Sequence, residues 1–211
     1  MNLDIFSSWT YAQAQTQEDA VLERARERGR ELGVESVGAA TANFLSVLAA
    51  ISGARNMVEI GTGVGVSGTS LLRGAGKHSA LTTIDIDVDH LAAARAAFHE
   101  AGVDGSRTRA ISGRAQAVLP RLTDGAYDLV FIDADKTHLM EYVNQGIRLV
   151  KVGGLVIVHD AFDQHRVPKP AVRQPSTVAT RNATRVLRED ERFVSSLVPT
   201  GLGLQLAARI G

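Results

Sequence analysis

Between Met57 and Val158 the sequence alternates between short apolar runs, most of them rich in valine and isoleucine, and longer amphipathic stretches. Such alternation predicts parallel strands connected by helices, with helices covering both faces of the sheet. We count five strand–helix units. The predicted strands are Met57–Ile60, Leu81–Ile86, Arg107–Ile111, Leu129–Ile132 and Leu155–Val158. The predicted helices are Ser67–Arg73, Val88–Ala101, Arg114–Leu119 and Thr137–Val150.

The C-terminal part breaks this rhythm. The segment Ala161–Pro175 contains three prolines and is predicted to be non-helical. Ser176 is predicted to cap a helix that runs to about Glu189. Two strand-like runs follow, Arg192–Val198 and Gly203–Arg209, and the turn between them is so short that the strands must be antiparallel. The expected fold is therefore α/β and Rossmann-like, with a mainly parallel seven-stranded sheet that ends in an antiparallel hairpin.

Two helices precede the alternating region. Thr16–Gly33 is predicted to be an amphipathic helix, because Val21, Leu22, Ala25 and Leu32 share one face, and Thr16 is predicted to start it, because Thr16 and Asp19 have capping-box spacing. Ala39–Ser52 is predicted to be a second helix that Gly53 ends. We interpret residues 1–211 as one domain, with a helical arm at 1–53 and an α/β core at 54–211.

Composition narrows the classes of function. The 211 residues contain 23 Lys plus Arg and 23 Asp plus Glu, and this balance gives no support for nucleic-acid binding. Without cysteine there are no disulfides, zinc thiolate sites or thiol nucleophiles. No apolar stretch suits a membrane helix, and Met1–Thr10 does not resemble a secretory signal. We expect a cytoplasmic protein without membrane or nucleic-acid partners.

A glycine-rich loop follows the first predicted strand and includes Gly61, Thr62 and Gly63, with Ser67 at the start of the next helix. Glycines allow positive φ and close approach of a ligand, and the helix start offers free N–H groups. The spacing Gly63–Gly68 also matches the dinucleotide fingerprint. This motif alone leaves nicotinamide-type and S-adenosylmethionine-type ligands about equally favoured.

Two carboxylates near this loop bear on the choice. Glu59 lies at the end of a buried strand, where a cationic ligand group would be a suitable partner and a pyrophosphate would be repelled. It could instead be a capping or salt-bridged residue. Asp85 ends the second strand, where an acid can bind both hydroxyls of a ribose of either ligand.

Several segments together resemble the cation-dependent O-methyltransferases, the family of catechol and caffeoyl-CoA O-methyltransferases. They are Val58–Ser67, Thr83–Asp87, Gly113–Ala115, Phe131–Lys136 and the stretch from Gly153 to Asp160, and the similarity extends from about Val37 to Ala208. Asp133-Ala134-Asp135-Lys136 is its most specific part. The resemblance implies the S-adenosylmethionine-dependent methyltransferase fold and transfer of a methyl group to a hydroxyl, usually one of a vicinal phenolic pair.

The resemblance also implies roles for individual residues. Glu59 would face the methionine amino group, Ser67 its carboxylate, and Asp85 the ribose. Asp133 would lie next to the methyl donor and bind a metal, Asp160 would be a second metal ligand, and Lys136 would be the general base. The full set of implied cofactor-binding residues is Val37, Glu59, Gly61, Thr62, Gly63, Ser67, Asp85, Ile86, Ala115 and Asp133.

Ala161 departs from the family pattern, which has an asparagine whose side-chain oxygen is the third protein ligand of the metal. Mg²⁺ or Mn²⁺ prefers about six oxygens and accepts waters, so Asp133 and Asp160 could still hold a cation weakly. Alternatively, no cation is required. His159 is interpreted as a core or supporting residue, because adjacent strand residues point to opposite faces. Asp135 and Asp163 are interpreted as solvated loop acids.

Two other functions stay open beside an O-methyltransferase that acts on a small phenolic or catechol-like acceptor. One is a protein that binds S-adenosylmethionine without catalysis, and the other is a nicotinamide-dependent oxidoreductase. Trp9 and Tyr11 in the arm are expected to be exposed. They would pack on a partner subunit, close over the substrate pocket, or pack on the chain's own surface. We predict a homodimer, because the arm needs a surface to bury Trp9 and because two-fold dimers are the commonest oligomers.

Overall fold

The computed structural model describes residues 3–211, so the first two residues of the predicted arm lie outside the described part. The strands are β1 (Asn56–Ile60), β2 (Ala80–Asp85), β3 (Thr108–Ser112), β4 (Tyr127–Ile132), β5 (Val150–His159), β6 (Phe193–Val198) and β7 (Leu204–Arg209). The helices are α1 (Leu3–Ala14), α2 (Ala20–Glu31), α3 (Ala39–Ile51), α4 (Val66–Ala75), α5 (Val88–Glu100), α6 (Ala115–Val118), α7 (Leu139–Leu149) and α8 (Pro175–Glu189).

All seven strands form one sheet in the order β3-β2-β1-β4-β5-β7-β6. The pairs among β1 to β5 are parallel, whereas β7 runs antiparallel to both β5 and β6. The predicted α/β fold with a C-terminal antiparallel hairpin is therefore confirmed. The strand order reverses between β1 and β4, and in open α/β sheets the ligand crevice lies at such a switch point.

Two apolar cores lie on opposite faces of the sheet. Residues of α2 to α5 pack with the Met57 and Phe131 side of the strands. Residues of α6 to α8 pack with the Val58 and Val130 side. Because side chains alternate along a strand, neighbouring residues of β1 enter different cores, and this central strand is covered on both faces.

Two predicted helix starts were wrong. Asp19, and not Thr16, caps α2, and its carboxylate accepts a 3.2 Å hydrogen bond from the Leu22 amide. Pro175 opens α8, with Gln174 at the cap, so this proline belongs to the helix and not to the preceding loop. Proline suits the first helical position, where its missing N–H would have no intrahelical acceptor.

No helix in the described part of the chain is both long and apolar enough to span a membrane. As expected, Trp9 and Tyr11 on α1 are exposed, by 48% and 67%.

Candidate functional site

A cavity of about 530 Å³ opens at the carboxyl ends of the central strands, beside the switch point between β1 and β4. The glycine loop, the end of β2 and the end of β4 form its walls. Every residue predicted to bind the cofactor lines this cavity, with the exception of Glu59. The predicted residues that line it are Val37, Gly61, Thr62, Gly63, Ser67, Asp85, Ile86, Ala115 and Asp133.

Gly61 lets two strand ends approach each other closely. Its φ is +91°, and a Cβ at this position would lie 1.9 Å from the carbonyl oxygen of Asp133. The Asp133 amide in turn donates to the Ile60 carbonyl at 2.8 Å. No side chain fits in this contact, and so the loop and the end of β4 form one rigid wall.

Asp85 holds the glycine loop in place. Its Oδ2 accepts hydrogen bonds from the amides of Thr62 and Gly63, both at 3.0 Å, and Oδ1 accepts from the Asp87 amide. The side chain lies at the cavity wall with the His90 imidazole 3.4 Å away. Its predicted ribose contact stays a prediction, and the structure adds a role in ordering the loop.

Glu59 is fully buried behind the loop, on the α4 side of β1. Its two oxygens accept hydrogen bonds from the Ser67 hydroxyl at 2.6 Å and the Thr83 hydroxyl at 2.7 Å. Burial raises the pKa of this carboxyl from 4.5 to about 8, although both hydroxyls lower it. Since Ser67 lines the cavity, it connects Glu59 to whatever binds there, and direct contact between Glu59 and a ligand amino group stays a prediction.

Asp133 faces the cavity and is held by His159. The His159 Nδ1 and the Asp133 Oδ1 lie 2.9 Å apart, and the His159 side chain is 8% exposed. His159 ends β5, next to β4 in the sheet, and its ring lies near that of Phe131. The interpretation of His159 as a supporting residue agrees with this position, but the sequence did not identify its partner.

Lys136 and Asp160 lie together beside this pair. The Lys136 ammonium donates to the carbonyls of His159 and Asp160, both at 3.0 Å, and lies 3.5 Å from the Asp160 carboxylate. The other Asp160 oxygen accepts from the Gln164 amide at 2.8 Å. Neither side chain is among those that line the cavity.

These contacts show which oxygens of Asp133 and Asp160 are free to coordinate a divalent cation. His159 occupies one oxygen of Asp133, and Asp160 is bonded to Gln164 and faces Lys136. Ala161 is buried and carries no oxygen on its side chain. Within residues 3–211 no three His, Asp or Glu side chains converge as ligands. As arranged here, these residues do not fit a six-coordinate oxygen site.

Sequence reasoning missed a cluster of three polar residues on the cavity wall. Asp135 accepts hydrogen bonds from the Tyr142 hydroxyl at 2.6 Å and pairs with the His138 ring at 2.8 Å. Burial and this carboxylate raise the pKa of Tyr142. Asp135 is exposed, as expected of a loop acid, but it also lines the cavity. The spacing 135, 138 and 142 at a helix start is the signal that could have found the cluster.

Asp163 is not a solvated acid, so that interpretation was wrong. It is 1% exposed and binds Arg166, Ser176 and Thr177. Arg166 lowers the pKa of its carboxyl to about 2, against the opposing effect of burial. Asp163 thus connects the loop after β5 to the start of α8.

The sequence profile of an O-methyltransferase family matches residues 13–210, almost the whole chain. This chain belongs to that family. The predicted resemblance is confirmed, and the protein is an O-methyltransferase with the fold of the S-adenosylmethionine-dependent methyltransferases. The family assignment removes the alternative of a nicotinamide-dependent oxidoreductase.

Relatives and solved structures support the assignment of this O-methyltransferase. A probable O-methyltransferase of Mycobacterium tuberculosis is 47% identical over 203 residues, which cover 96% of this chain and 91% of the relative. A crystal structure of a Corynebacterium glutamicum protein has a TM-score of 0.89 at 29% identity, with 100% of this chain and 98% of that one covered. The O-methyltransferase TomG of Streptomyces achromogenes, involved in tomaymycin synthesis and solved in complex with S-adenosylmethionine, has a TM-score of 0.87 at 27% identity, with both chains fully covered.

Proposed function

We propose that the cavity binds S-adenosylmethionine and that the enzyme transfers its methyl group to a hydroxyl of a small phenolic or catechol-like acceptor. The observation that carries the ligand assignment is the charge of the cavity wall. Four acidic side chains line it, Glu35, Asp85, Asp133 and Asp135, against the single guanidinium of Arg114. Such a wall favours a ligand with sulfonium and ammonium groups and disfavours an anionic pyrophosphate.

TomG, which was solved in complex with S-adenosylmethionine, is consistent with this assignment, because its similarity to this chain extends over the full length of both chains. A volume of about 530 Å³ is within the usual range of small-molecule and cofactor sites. Gly61 and Gly63 bring backbone close to the ligand, and Asp85 is placed at the end of β2, where an acid reaches ribose hydroxyls.

A phenolic acceptor is supported by reaction chemistry. In the transfer the hydroxyl oxygen bonds to the methyl carbon while the carbon–sulfur bond breaks, the sulfonium becomes a neutral thioether, and the hydroxyl proton passes to a water molecule or to a basic side chain. A phenol has a pKa of about 10 and gives up this proton far more readily than an aliphatic alcohol. The segment Asp133–Lys136, which resembles enzymes that methylate catechols, supports the same choice.

The role of Lys136 as general base stays a prediction from the family resemblance. In the structure all of its near neighbours are hydrogen-bond acceptors, the His159 and Asp160 carbonyls and the Asp160 carboxylate. These contacts hold an ammonium, which has no lone pair for a proton. Lys136 could accept the acceptor's proton only after leaving them.

We infer that the protein is a homodimer. Trp9 and Tyr11 of α1 are exposed, and α3, which contacts α1, also exposes Val47 and Ile51. Several exposed large apolar side chains on two neighbouring helices are typical of an interface. Light scattering should give the dimer mass at micromolar concentration, and a monomer mass would contradict the inference.

Two measurements test the proposed function separately. S-adenosylhomocysteine at one hundred times its dissociation constant should stabilise the fold by about 2.7 kcal/mol, whereas NAD and NADP should leave the melting temperature unchanged. Transfer of labelled methyl is then measured over a panel of catechols, monophenols and aliphatic alcohols. Turnover restricted to aliphatic alcohols would contradict the phenolic acceptor, and binding without turnover would indicate a protein that only binds the cofactor.

A further inference from the structure

Asp133 and Asp160, at the ends of β4 and β5, are each bound by a polar group of the chain itself, His159 and Lys136 respectively. We propose that this enzyme transfers its methyl group without a bound divalent cation, and that His159 is a positioning residue which fixes Asp133. The proposal rests on the proposed function, since it concerns the same transfer. It departs from what the family resemblance implies for Asp133 and Asp160.

The first argument is the residue after Asp160. The Ala161 side chain is buried, and the Ala161 amide donates to the Gly203 carbonyl at 3.0 Å, while the next amide donates to the Leu202 carbonyl. The segment is therefore tied to the turn between β6 and β7. To bring another oxygen ligand to the place of the Ala161 side chain, the segment would have to shift and break these hydrogen bonds.

The second argument is that His159 holds the Asp133 carboxylate in place. A hydrogen bond of 2.9 Å from His159 takes one carboxylate oxygen, and the imidazole cannot turn away easily because it is almost fully buried. His159 is also paired with Leu204 of β7. A cation that bound both Asp133 oxygens would have to displace an imidazole held by the sheet.

The third argument is that the Lys136 ammonium already places a positive charge beside Asp160. The Lys136 ammonium has three donors and three acceptors around it, two carbonyls at 3.0 Å and the Asp160 carboxylate at 3.5 Å. Its side chain is 18% exposed, and that of Asp160 14%. The ammonium supplies the positive charge that Asp160 needs, and a divalent cation beside it would be repelled.

Binding of Mn²⁺ can be measured without knowing the acceptor. Mn²⁺ is titrated into protein saturated with S-adenosylhomocysteine, and free Mn²⁺ is followed by its electron paramagnetic resonance signal. We expect no loss of the free signal at equimolar protein. Stoichiometric uptake that Asp133→Ala or Asp160→Ala abolishes would overturn the proposal, whereas uptake that both variants leave unchanged lies elsewhere on the protein and agrees with it.

The rate gives an independent measurement once an acceptor is found in the panel. Turnover should be the same after dialysis against a chelator and after addition of Mg²⁺ or Mn²⁺. A rate that falls with the chelator and returns with either ion would overturn the proposal. If no acceptor is turned over while S-adenosylhomocysteine binds, the proposed function fails, and the Mn²⁺ titration still decides the question of the cation.

The role of His159 is tested with two variants. His159→Leu removes the donor to Asp133, whereas the Nδ2 of His159→Asn can replace Nδ1. We expect His159→Leu to lower kcat about tenfold or more, with KM for S-adenosylmethionine unchanged and with substantial recovery in His159→Asn. Equal losses in both variants, or an unchanged kcat in His159→Leu, would contradict a positioning role.

Discussion

The hydroxyl of Ser67 lies 2.6 Å from the carboxyl of Glu59, and so connects a cavity-lining residue to a fully buried acid. Glu59 is the first acid that the sequence singled out, but it lies behind the glycine loop and not on the cavity wall. Whatever binds at Ser67 therefore acts on Glu59 across one hydrogen bond.

The unliganded protein should lose stability as pH rises from about 4.5 to about 8. In this range unfolding releases a proton, because the pKa of Glu59 is about 8 in the folded chain and near 4.5 when exposed. Below 4.5 both states are protonated and the penalty is absent. Glu59→Gln should flatten the profile of melting temperature against pH and be the more stable form at pH 8. Parallel profiles for the two proteins would contradict the raised pKa.

Asp85→Ala should weaken binding of S-adenosylhomocysteine at least tenfold. The variant loses a charged acceptor for ribose hydroxyls, at about 1.5–3 kcal/mol for each hydrogen bond, and also frees the amides of Thr62 and Gly63. Isothermal titration calorimetry measures the change. The matched control is Asp87→Ala, two residues away, which removes the cap of α5 and costs about 1 kcal/mol of stability, although Asp87 itself does not line the cavity. Unchanged affinity in a folded Asp85→Ala protein would remove Asp85 from the site.

Lys136→Arg separates the two roles considered for this residue. A fixed cation can be replaced by a guanidinium that donates to the His159 and Asp160 carbonyls, so turnover should stay within about tenfold of the parent. A general base cannot be replaced in this way, and its loss would cut turnover by about 10²–10⁴-fold in both Lys136→Arg and Lys136→Ala. The affinity for S-adenosylhomocysteine, measured in parallel, should be the same in all three proteins.

Gly61→Ala should destabilise the fold by about 3 kcal/mol or more and abolish binding in the cavity. The new Cβ adds overpacking against Asp133 to the strain of a positive φ. Gly53→Ala is the control, since its φ is +59° but its surroundings are open, and it should cost only about 1–2 kcal/mol. Urea unfolding measures both. Equal costs would mean that the close contact at Gly61 relaxes freely.

Local pattern alone determined most of the architecture. The alternating apolar runs predicted all five parallel strands, and the short turn before Gly203 predicted the hairpin, because strand and turn signals are carried by neighbouring residues. The glycine loop and the acids at strand ends predicted the cavity wall, since carboxyl ends of parallel strands meet at one edge of a sheet.

Only the tertiary structure decided how the acids are paired. Asp133 and His159 are 26 residues apart and meet because β4 and β5 are neighbours in register. Lys136 and Asp160 are 24 residues apart, and the Lys136 ammonium meets the Asp160 carbonyl after β5, where Asp160 has a φ of +49°. No periodicity encodes such contacts, because they depend on strand order and on the irregular backbone after β5, and these are set by packing across the whole sheet.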